Sequence, residues 1–211
     1  MIARLWHGWI TKANRELYER LLLGEVLPGI GRVSGYRGAY VLRREVNEEN
    51  EYVTLTRFDS LDAVRAFAGE DYGMAVVPAE ARKLLARYEE RPQHFEAAVR
   101  AGTGNGRIAR IWHGAVPTEK KEPYLQYLKQ SSIKDLQSTP GNEGLLVLRR
   151  SADESSHFLV MSLWRSWEAI RRFAGSDPEK ARYFPQDAAF LLEMEPTVRH
   201  YDVLQSPEED A

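Results

Sequence analysis

The sequence has no cysteine among its 211 residues. This absence excludes disulfide bonds, thiolate nucleophiles and cysteine-based metal sites. It is also typical of a reducing compartment, so we expect a cytoplasmic protein. The five histidines show neither HxH nor HxxxH spacing and no carboxylate cluster accompanies them, so no metal site is expected.

Charge excess and long hydrophobic runs are also missing. The formal net charge is −2, which gives no attraction to nucleic acid or to an anionic membrane. Apolar runs such as "FLVM" (158–161) are far shorter than the roughly 18 residues of a membrane-spanning helix. The start, "MIARLWHGW", lacks the pattern of a secretory signal. We therefore expect a soluble globular protein with neither nucleic acid nor membrane as a partner.

The sequence does contain an internal repeat. Residues 2–69 align with residues 108–175 without a gap, and 22 of the 68 positions are identical. "ARxWHG", "VLRR" and "FAG" occur in both copies at the same 106-residue offset. Two copies are too few for a solenoid. The repeat therefore predicts two tandem domains, at 1–99 and 107–205, with the glycine-rich stretch 100–107 as a flexible linker.

Each copy has the same order of expected elements. A β-branched and aromatic strand comes first, followed by an amphipathic helix, a hairpin, a second helix and a final strand. Ser60 and Ser166 stand where the second helices need an N-cap, and Gly69 and Gly175 stop those helices. The polar tail 206–211 is expected to fray.

This order, β-α-β-β-α-β, is that of the ferredoxin-like unit, an antiparallel sheet with helices on one face. The other face of the sheet needs a cover, and a second copy of the unit can supply it. The predicted fold class is therefore α+β, with tandem ferredoxin-like (βαββαβ) repeats packed as an intrachain dimeric α/β barrel. This internal pseudo-dimer leaves assembly into a homodimer open.

The first strand of each copy alternates two kinds of side chain. One face carries arginine, tryptophan and glycine in both copies: Arg4, Trp6 and Gly8, then Arg110, Trp112 and Gly114. The other face carries small or aliphatic residues and a histidine. We predict that the histidine face packs on the helices and that the arginine face points into the barrel, where each glycine leaves room beside its tryptophan.

Two interpretations of this motif stay open. A buried arginine needs an anion or a water-filled space, because an unpaired buried charge is costly. Arg4 and Arg110 could therefore serve a pocket with an aromatic wall, or pair with carboxylates at the barrel rim while the tryptophans fill the core. For His7 and His113, a general-base role competes with a core role in which the ring donates to a backbone carbonyl.

Four stretches of the second copy carry a family pattern: "ARIWHGAVPTEK", "TPGNEGLLVLRR", "HFLVMSLWRSWEAIRRFAGSD" and "ARYFPQDAAFLLEMEPTVRHYDV". With these stretches, which span nearly all of residues 107–204, the copy resembles the antibiotic biosynthesis monooxygenase family of the dimeric α/β-barrel superfamily. The first copy looks like a diverged version, because "MAVVPAEARKLLARYEERPQHFEAAV" keeps the layout with fewer of the residues. We therefore expect the better-formed pocket in the second copy.

The superfamily also includes haem-degrading enzymes, which use an asparagine, a tryptophan and a histidine. At the matching positions this chain has Trp112, Phe173 and Tyr183 in the second copy, and the first copy has no match either. Haem degradation is therefore not expected, and neither is any other cofactor.

The resemblance implies a cofactor-independent monooxygenase, an oxidoreductase acting on a small aromatic, phenolic or quinol substrate. The substrate's own carbanion reduces O₂, while the protein supplies an apolar pocket, a proton acceptor and a donor for the oxyanion. The resemblance favours Arg110 as the oxyanion partner, with His113 or Tyr183 in proton transfer. The expected ligand pocket comprises Trp112, Trp164, Phe173, Arg4 and Trp6.

The alternative is a non-catalytic small-ligand-binding or stress-related module on the same scaffold. An apolar cavity without a polar dyad would favour this alternative, so whether the chain is an enzyme is left open by its sequence.

Overall fold

The computed structural model of the protein describes residues 1–207. The chain forms two compact units. The first consists of residues 1–95 with the segment that begins at residue 202, and the second consists of residues 96–201. Each unit contains one copy of the repeat, and the domain bounds 1–99 and 107–205 stay predictions. Most of the polar tail lies outside the described residues.

The first unit is built on a sheet with β1 at its centre. Its strands are β1 (Ile2–Thr11), β2 (Tyr36–Val46), β3 (Glu49–Phe58) and β4 (Leu85–Tyr88). Its helices are α1 (Arg15–Leu21), α2 (Leu27–Ile30), α3 (Leu61–Ala68) and α4 (Ala79–Leu84), and a π-helical turn, Leu22–Val26, joins the first two.

All pairings within the sheet of the first unit are antiparallel. β1 pairs with β3 from Ile2↔Phe58 to Thr11↔Glu49, and with β4 on its other side. β3 pairs in turn with β2. The segment after residue 202 adds a short strand beside β2, with Leu42 opposite Val203.

The second unit repeats this plan. Its strands are β5 (Gln93–Gly102), β6 (Ile108–Pro117), β7 (Asn142–Ala152), β8 (Ser155–Trp164) and β9 (Arg199–Gln205), of which β5 and β9 each begin in one unit and end in the other. Its helices are α5 (Lys121–Gln130), α6 (Ser132–Ser138), α7 (Trp167–Ala174) and α8 (Asp187–Phe190). β6 pairs with β8, β8 with β7, and β7 with residues 96–102 of β5. The α+β class and the ferredoxin-like repeats are thereby confirmed.

The hairpins and helix ends follow the expected local chemistry. Asn47 and Asp153 open the two hairpin turns with positive φ angles of 56° and 47°, a conformation that Asn and Asp tolerate better than most residues. The hydroxyl of Ser60 accepts from the backbone N–H of Ala63, and Ser166 caps α7 in the same way.

The predicted flexible linker 100–107 is largely ordered, so that expectation is wrong. Residues 100–102 continue strand β5. Beyond the strand, the Thr103 hydroxyl and the Gly104 N–H both donate to the carbonyl of Glu143 at 3.0 Å. The Arg107 N–H donates to the carbonyl of Trp164 at 2.8 Å. These bonds hold the segment against the second unit.

The two faces of the first strands are the reverse of the prediction. Ile10 of β1 packs with Tyr18 and Leu22 of the helical layer, so the arginine face of β1 faces the helices. In β6, Trp112 packs with α5 and α7 in the same way. The predicted assignment to the barrel interior is wrong, because the large side chains lie over a hollow between the sheet and the helices.

Among the described residues, no helix is long and apolar enough to cross a membrane.

Candidate functional site

Each unit contains a cavity between its sheet and its helices. The cavity of the first unit, called the first cavity, leaves about 50 Å³ open to the centre of a water molecule. The cavity of the second unit, called the second cavity, leaves about 40 Å³. The second copy was expected to have the better-formed pocket. By volume this expectation is wrong, because the second cavity is no larger than the first.

The two cavities are lined by the same thirteen positions of the repeat, each shifted by 106 residues. Those of the first cavity are Arg4, Trp6, Tyr18, Leu22, Val26, Ile30, Thr54, Thr56, Phe67, Val76, Val77, Pro78 and Ala81. Those of the second are Arg110, Trp112, Tyr124, Leu128, Ser132, Leu136, Val160, Ser162, Phe173, Arg182, Tyr183, Phe184 and Asp187.

A buried arginine stands in each cavity in the same setting. Arg4 and Arg110 are each 5% exposed. Arg4 donates through Nη2 to the carbonyl of Met74 at 2.6 Å, and Arg110 donates to the equivalent carbonyl of Lys180 at 2.9 Å. Each guanidinium also lies over a phenylalanine ring, with Cζ 5.4 Å from the centre of Phe67 in the first cavity and a similar distance in the second.

Neither arginine pairs with a carboxylate of residues 1–207, and Nε of both is buried without a hydrogen-bond partner there. Burial lowers the pKa of each guanidinium to about 10, and in Arg110 the nearby Arg182 cation adds to this effect. Both groups therefore stay charged at neutral pH. Each cavity thus contains a cation that has no counter-ion and that could bind an anionic ligand.

The tryptophan rings occupy the space beside the glycines of the motif. A Cβ on Gly8 would stand 2.6 Å from the ring of Trp6, and one on Gly114 would be even closer to the ring of Trp112. The prediction that these glycines leave room for the tryptophans is confirmed.

The cavities differ in the residues that could move a proton. The second cavity contains Asp187 and Tyr183, whereas the first has Ala81 and Val77 at the equivalent positions. Arg182 of the second cavity, replaced by Val76 in the first, pairs with Asp135 at 2.8 Å outside the cavity. The second cavity thus combines a cation, a carboxyl group and a phenol.

Asp187 is held at the start of the short helix α8. Its carboxylate accepts a hydrogen bond from the Phe184 N–H at 2.6 Å and another from the Tyr124 hydroxyl at 3.4 Å. The residue is 4% exposed, and burial raises the pKa of its carboxyl group against the opposing effect of these hydrogen bonds. A buried carboxylate with a raised pKa is a suitable proton acceptor.

Tyr183 lines the second cavity as predicted, but its hydroxyl is already engaged. It donates to the carbonyl of Glu195 at 2.6 Å. Burial raises the pKa of the hydroxyl, so the phenol stays protonated at neutral pH. The ring meets that of Trp112 edge-on, with their centres 6.4 Å apart. Tyr183 is therefore better placed to form part of the cavity wall than to accept a proton.

His113 does not line the second cavity, because alternation along β6 places it on the opposite face of the sheet. Its Nδ1 lies 2.8 Å from a carboxylate oxygen of Glu195, and its Nε2 lies 3.1 Å from Nδ1 of His157. His7 likewise contacts Glu51 at 2.9 Å. The predicted bond from these histidines to a backbone carbonyl is wrong, since both use a carboxylate.

Trp164 also lies outside the second cavity. It is fully buried in the core of the second unit, and its indole N–H donates to the Ser162 hydroxyl at 2.9 Å. The structure thus brings together Arg110, Trp112, Phe173 and Tyr183 of the predicted residues. Trp164 packs behind the cavity wall, with its ring centre 5.6 Å from that of Phe173, and His113 lies on the other face of the sheet. Arg4 and Trp6 lie in the first cavity.

Sequence reasoning missed Asp187 and Arg182. Neither belongs to a repeated motif, since the first copy has alanine and valine there. The informative signal is that difference, because a charged residue appears in one copy at a position where the other is apolar. Within residues 1–207, no group of three or more histidine, aspartate or glutamate side chains is placed to hold a metal ion.

We compared the chain with models of protein families and with curated proteins. The model of the antibiotic biosynthesis monooxygenase family matches residues 1–101. The match falls on the first copy, whereas we expected the second copy to carry the pattern more clearly. A search of curated proteins finds no match.

Several solved structures are similar over nearly the whole chain. A candidate monooxygenase from Fusobacterium nucleatum has 11% identity and a TM-score of 0.66, with 99% of this chain and 94% of that chain covered. One from Lactobacillus acidophilus has 12% identity and a TM-score of 0.64, with 99% and 97% covered. An anthrone oxidase-like protein has 16% identity and a TM-score of 0.61, with 97% and 92% covered.

At these identities the structural likeness establishes the fold alone. The family model covers residues 1–101, a little under half of the chain, and the whole chain shares its fold with the two candidate monooxygenases.

Proposed function

We propose that the second unit is a cofactor-independent monooxygenase that acts on a small aromatic, phenolic or quinol substrate. The observation that carries the proposal is the joint presence of Arg110 and Asp187 in one aromatic cavity. The family match and the likeness to an anthrone oxidase-like protein support the same class of reaction.

Asp187 takes the proton from the activated C–H or O–H group of the substrate. The resulting anion lies near the Arg110 guanidinium, whose unpartnered Nε and positive charge stabilise it. The electrons that reduce O₂ come from the substrate. For an anthrone-type CH₂ group, one oxygen atom becomes the new carbonyl and the other leaves as water.

The aromatic residues set the shape of the substrate. Trp112, Phe173 and Tyr183 form the walls of the second cavity, and aromatic walls of this kind are common in small-molecule sites. Flat rings stack on such walls, whereas a flexible chain gains less from them.

Oxygen uptake with a panel of anthrones, quinols and phenols tests the proposal. Asp187→Asn should lower kcat about 10²-fold or more, as loss of a general base does. Arg110→Met should lower kcat/KM about tenfold, or roughly 1.4 kcal/mol. The wild-type rate should rise with pH through the pKa of Asp187, which burial places above its usual range.

The matched control is Arg4→Met, which makes the same change in the first cavity and should leave oxygen uptake unchanged. Full activity of Asp187→Asn would contradict the proposed base. Tight binding of the aromatic compounds without any oxygen uptake would instead support the non-catalytic alternative.

A further inference from the structure

The first cavity keeps the arginine of the second cavity but has lost its proton-transfer groups. At the positions of Asp187 and Tyr183 it has Ala81 and Val77. Its wall is therefore mostly aliphatic, and no carboxylate lines it. A buried cation in such a site still requires an anion, because a buried unpaired charge is costly.

The first cavity also contains a hydroxyl group that the second cavity does not have at the equivalent position. Thr54 stands where the second cavity has Val160. Thr54 is 8% exposed, and its Oγ1 is buried without a hydrogen-bond partner among the described residues, like Nε of Arg4. The cavity thus has two unpartnered polar groups on a largely apolar wall, and a carboxylate has two oxygens that can accept from such donors.

The first cavity continues outward into a groove along the helices of the first unit. This groove leaves about 350 Å³ open to the centre of a water molecule, and it shares Val26, Ile30 and Phe67 with the cavity. Its outer end carries the carboxylates of Glu25 and Glu80 and no basic residue. An anionic group is therefore favoured at Arg4 of the cavity and disfavoured beside the carboxylates of the groove.

We propose that the first cavity and this groove form a second, non-catalytic binding site for an elongated aliphatic carboxylate. The carboxylate contacts Arg4 and Thr54, and the alkyl chain runs outward past Val26 and Ile30. The site lacks a proton acceptor, so the ligand is bound without being converted. This assignment does not depend on the reaction proposed for the second unit.

Calorimetric titration of the full chain with decanoate tests the proposal, with decanol and decyltrimethylammonium as matched probes. We expect saturable binding of one decanoate per chain, at least tenfold tighter than binding of decanol or of the cationic probe. Arg4→Met should weaken decanoate binding at least tenfold, because it removes the charge and keeps most of the side-chain volume. Arg110→Met, the same change in the second cavity, should leave it unchanged.

A second variant keeps the proposal testable if Arg4→Met fails to fold. Ala81→Asp introduces the residue that the second cavity already holds at this position, and its carboxylate should repel decanoate as strongly as loss of Arg4 weakens it. Absence of saturable binding, equal affinity for decanoate and decanol, or an equal loss from Arg110→Met would overturn the proposal. Oxygen uptake by Arg4→Met reports on the second cavity separately, so failure of either proposal is distinguishable.

Discussion

At the scale of single residues, the glycines of the repeated motif determine where the tryptophans lie. Gly114→Ala should destabilise the protein by about 1–3 kcal/mol, because a Cβ would overlap the ring of Trp112 and overpack the core. Denaturation by urea measures the change. Gly24→Ala is the control, because a Cβ there meets nothing within 4 Å, and in a helical segment it should stabilise by about 0.5–1 kcal/mol. Equal effects of the two variants would contradict this account.

The motif showed which residues matter but not which way they face. Alternation separates Arg4 from Leu5, yet both are buried, so hydrophobicity does not reveal which face meets the helices. Arg110, Trp112, Phe173 and Tyr183 could be found from the repeat and the family resemblance. Asp187 has no periodic signal, because it is a lone aspartate after a loop, and only its contrast with Ala81 of the first copy marks it.

At the scale of elements, the serine caps begin α3 and α7. Ser166→Ala should cost about 1 kcal/mol, since the Ala169 N–H loses its partner at 3.3 Å. Ser166→Asp should restore most of the loss, because aspartate accepts the same bond and its charge favours the positive helix end. Thermal denaturation of both variants checks this, and an aspartate variant no more stable than the alanine variant would contradict the capping role.

The long elements could be predicted and the short ones could not. The strand–hairpin pattern predicted β2, β3, β7 and β8, because each is a run of β-branched, aromatic or aliphatic residues beside a short polar turn. β4, with four residues, and α8, with four residues, are too short to display a period. They matter for function, since α8 positions Asp187.

At the scale of the whole molecule, two half-buried histidines make stability depend on pH. Burial lowers the pKa of His94 and of His200 to about 4, and the charges of Arg4 and Arg110 act in the same direction. The unfolded chain, with a histidine pKa near 6.5, binds more protons between these values. The free energy of unfolding should therefore fall as pH drops from 6.5 towards 4.

Urea denaturation at pH 6.5 and pH 5 measures this dependence above the range where most carboxylates titrate. The double variant His94→Asn/His200→Asn should lose most of it. A wild-type stability that is equal at the two pH values, or a double variant with the full dependence, would count against the histidines.

The strands at the ends of the two repeats have a consequence for the loss of one repeat. Residues 202–205 pair with β2 of the first unit, and residues 96–102 pair with β7 of the second. A transcript truncated after the first repeat would encode a sheet with an open edge at β2, and open edges promote aggregation. Loss of either half would therefore leave an exposed strand edge in the other. The cavities of the two repeats could then diverge by point substitution, while deletion was disfavoured.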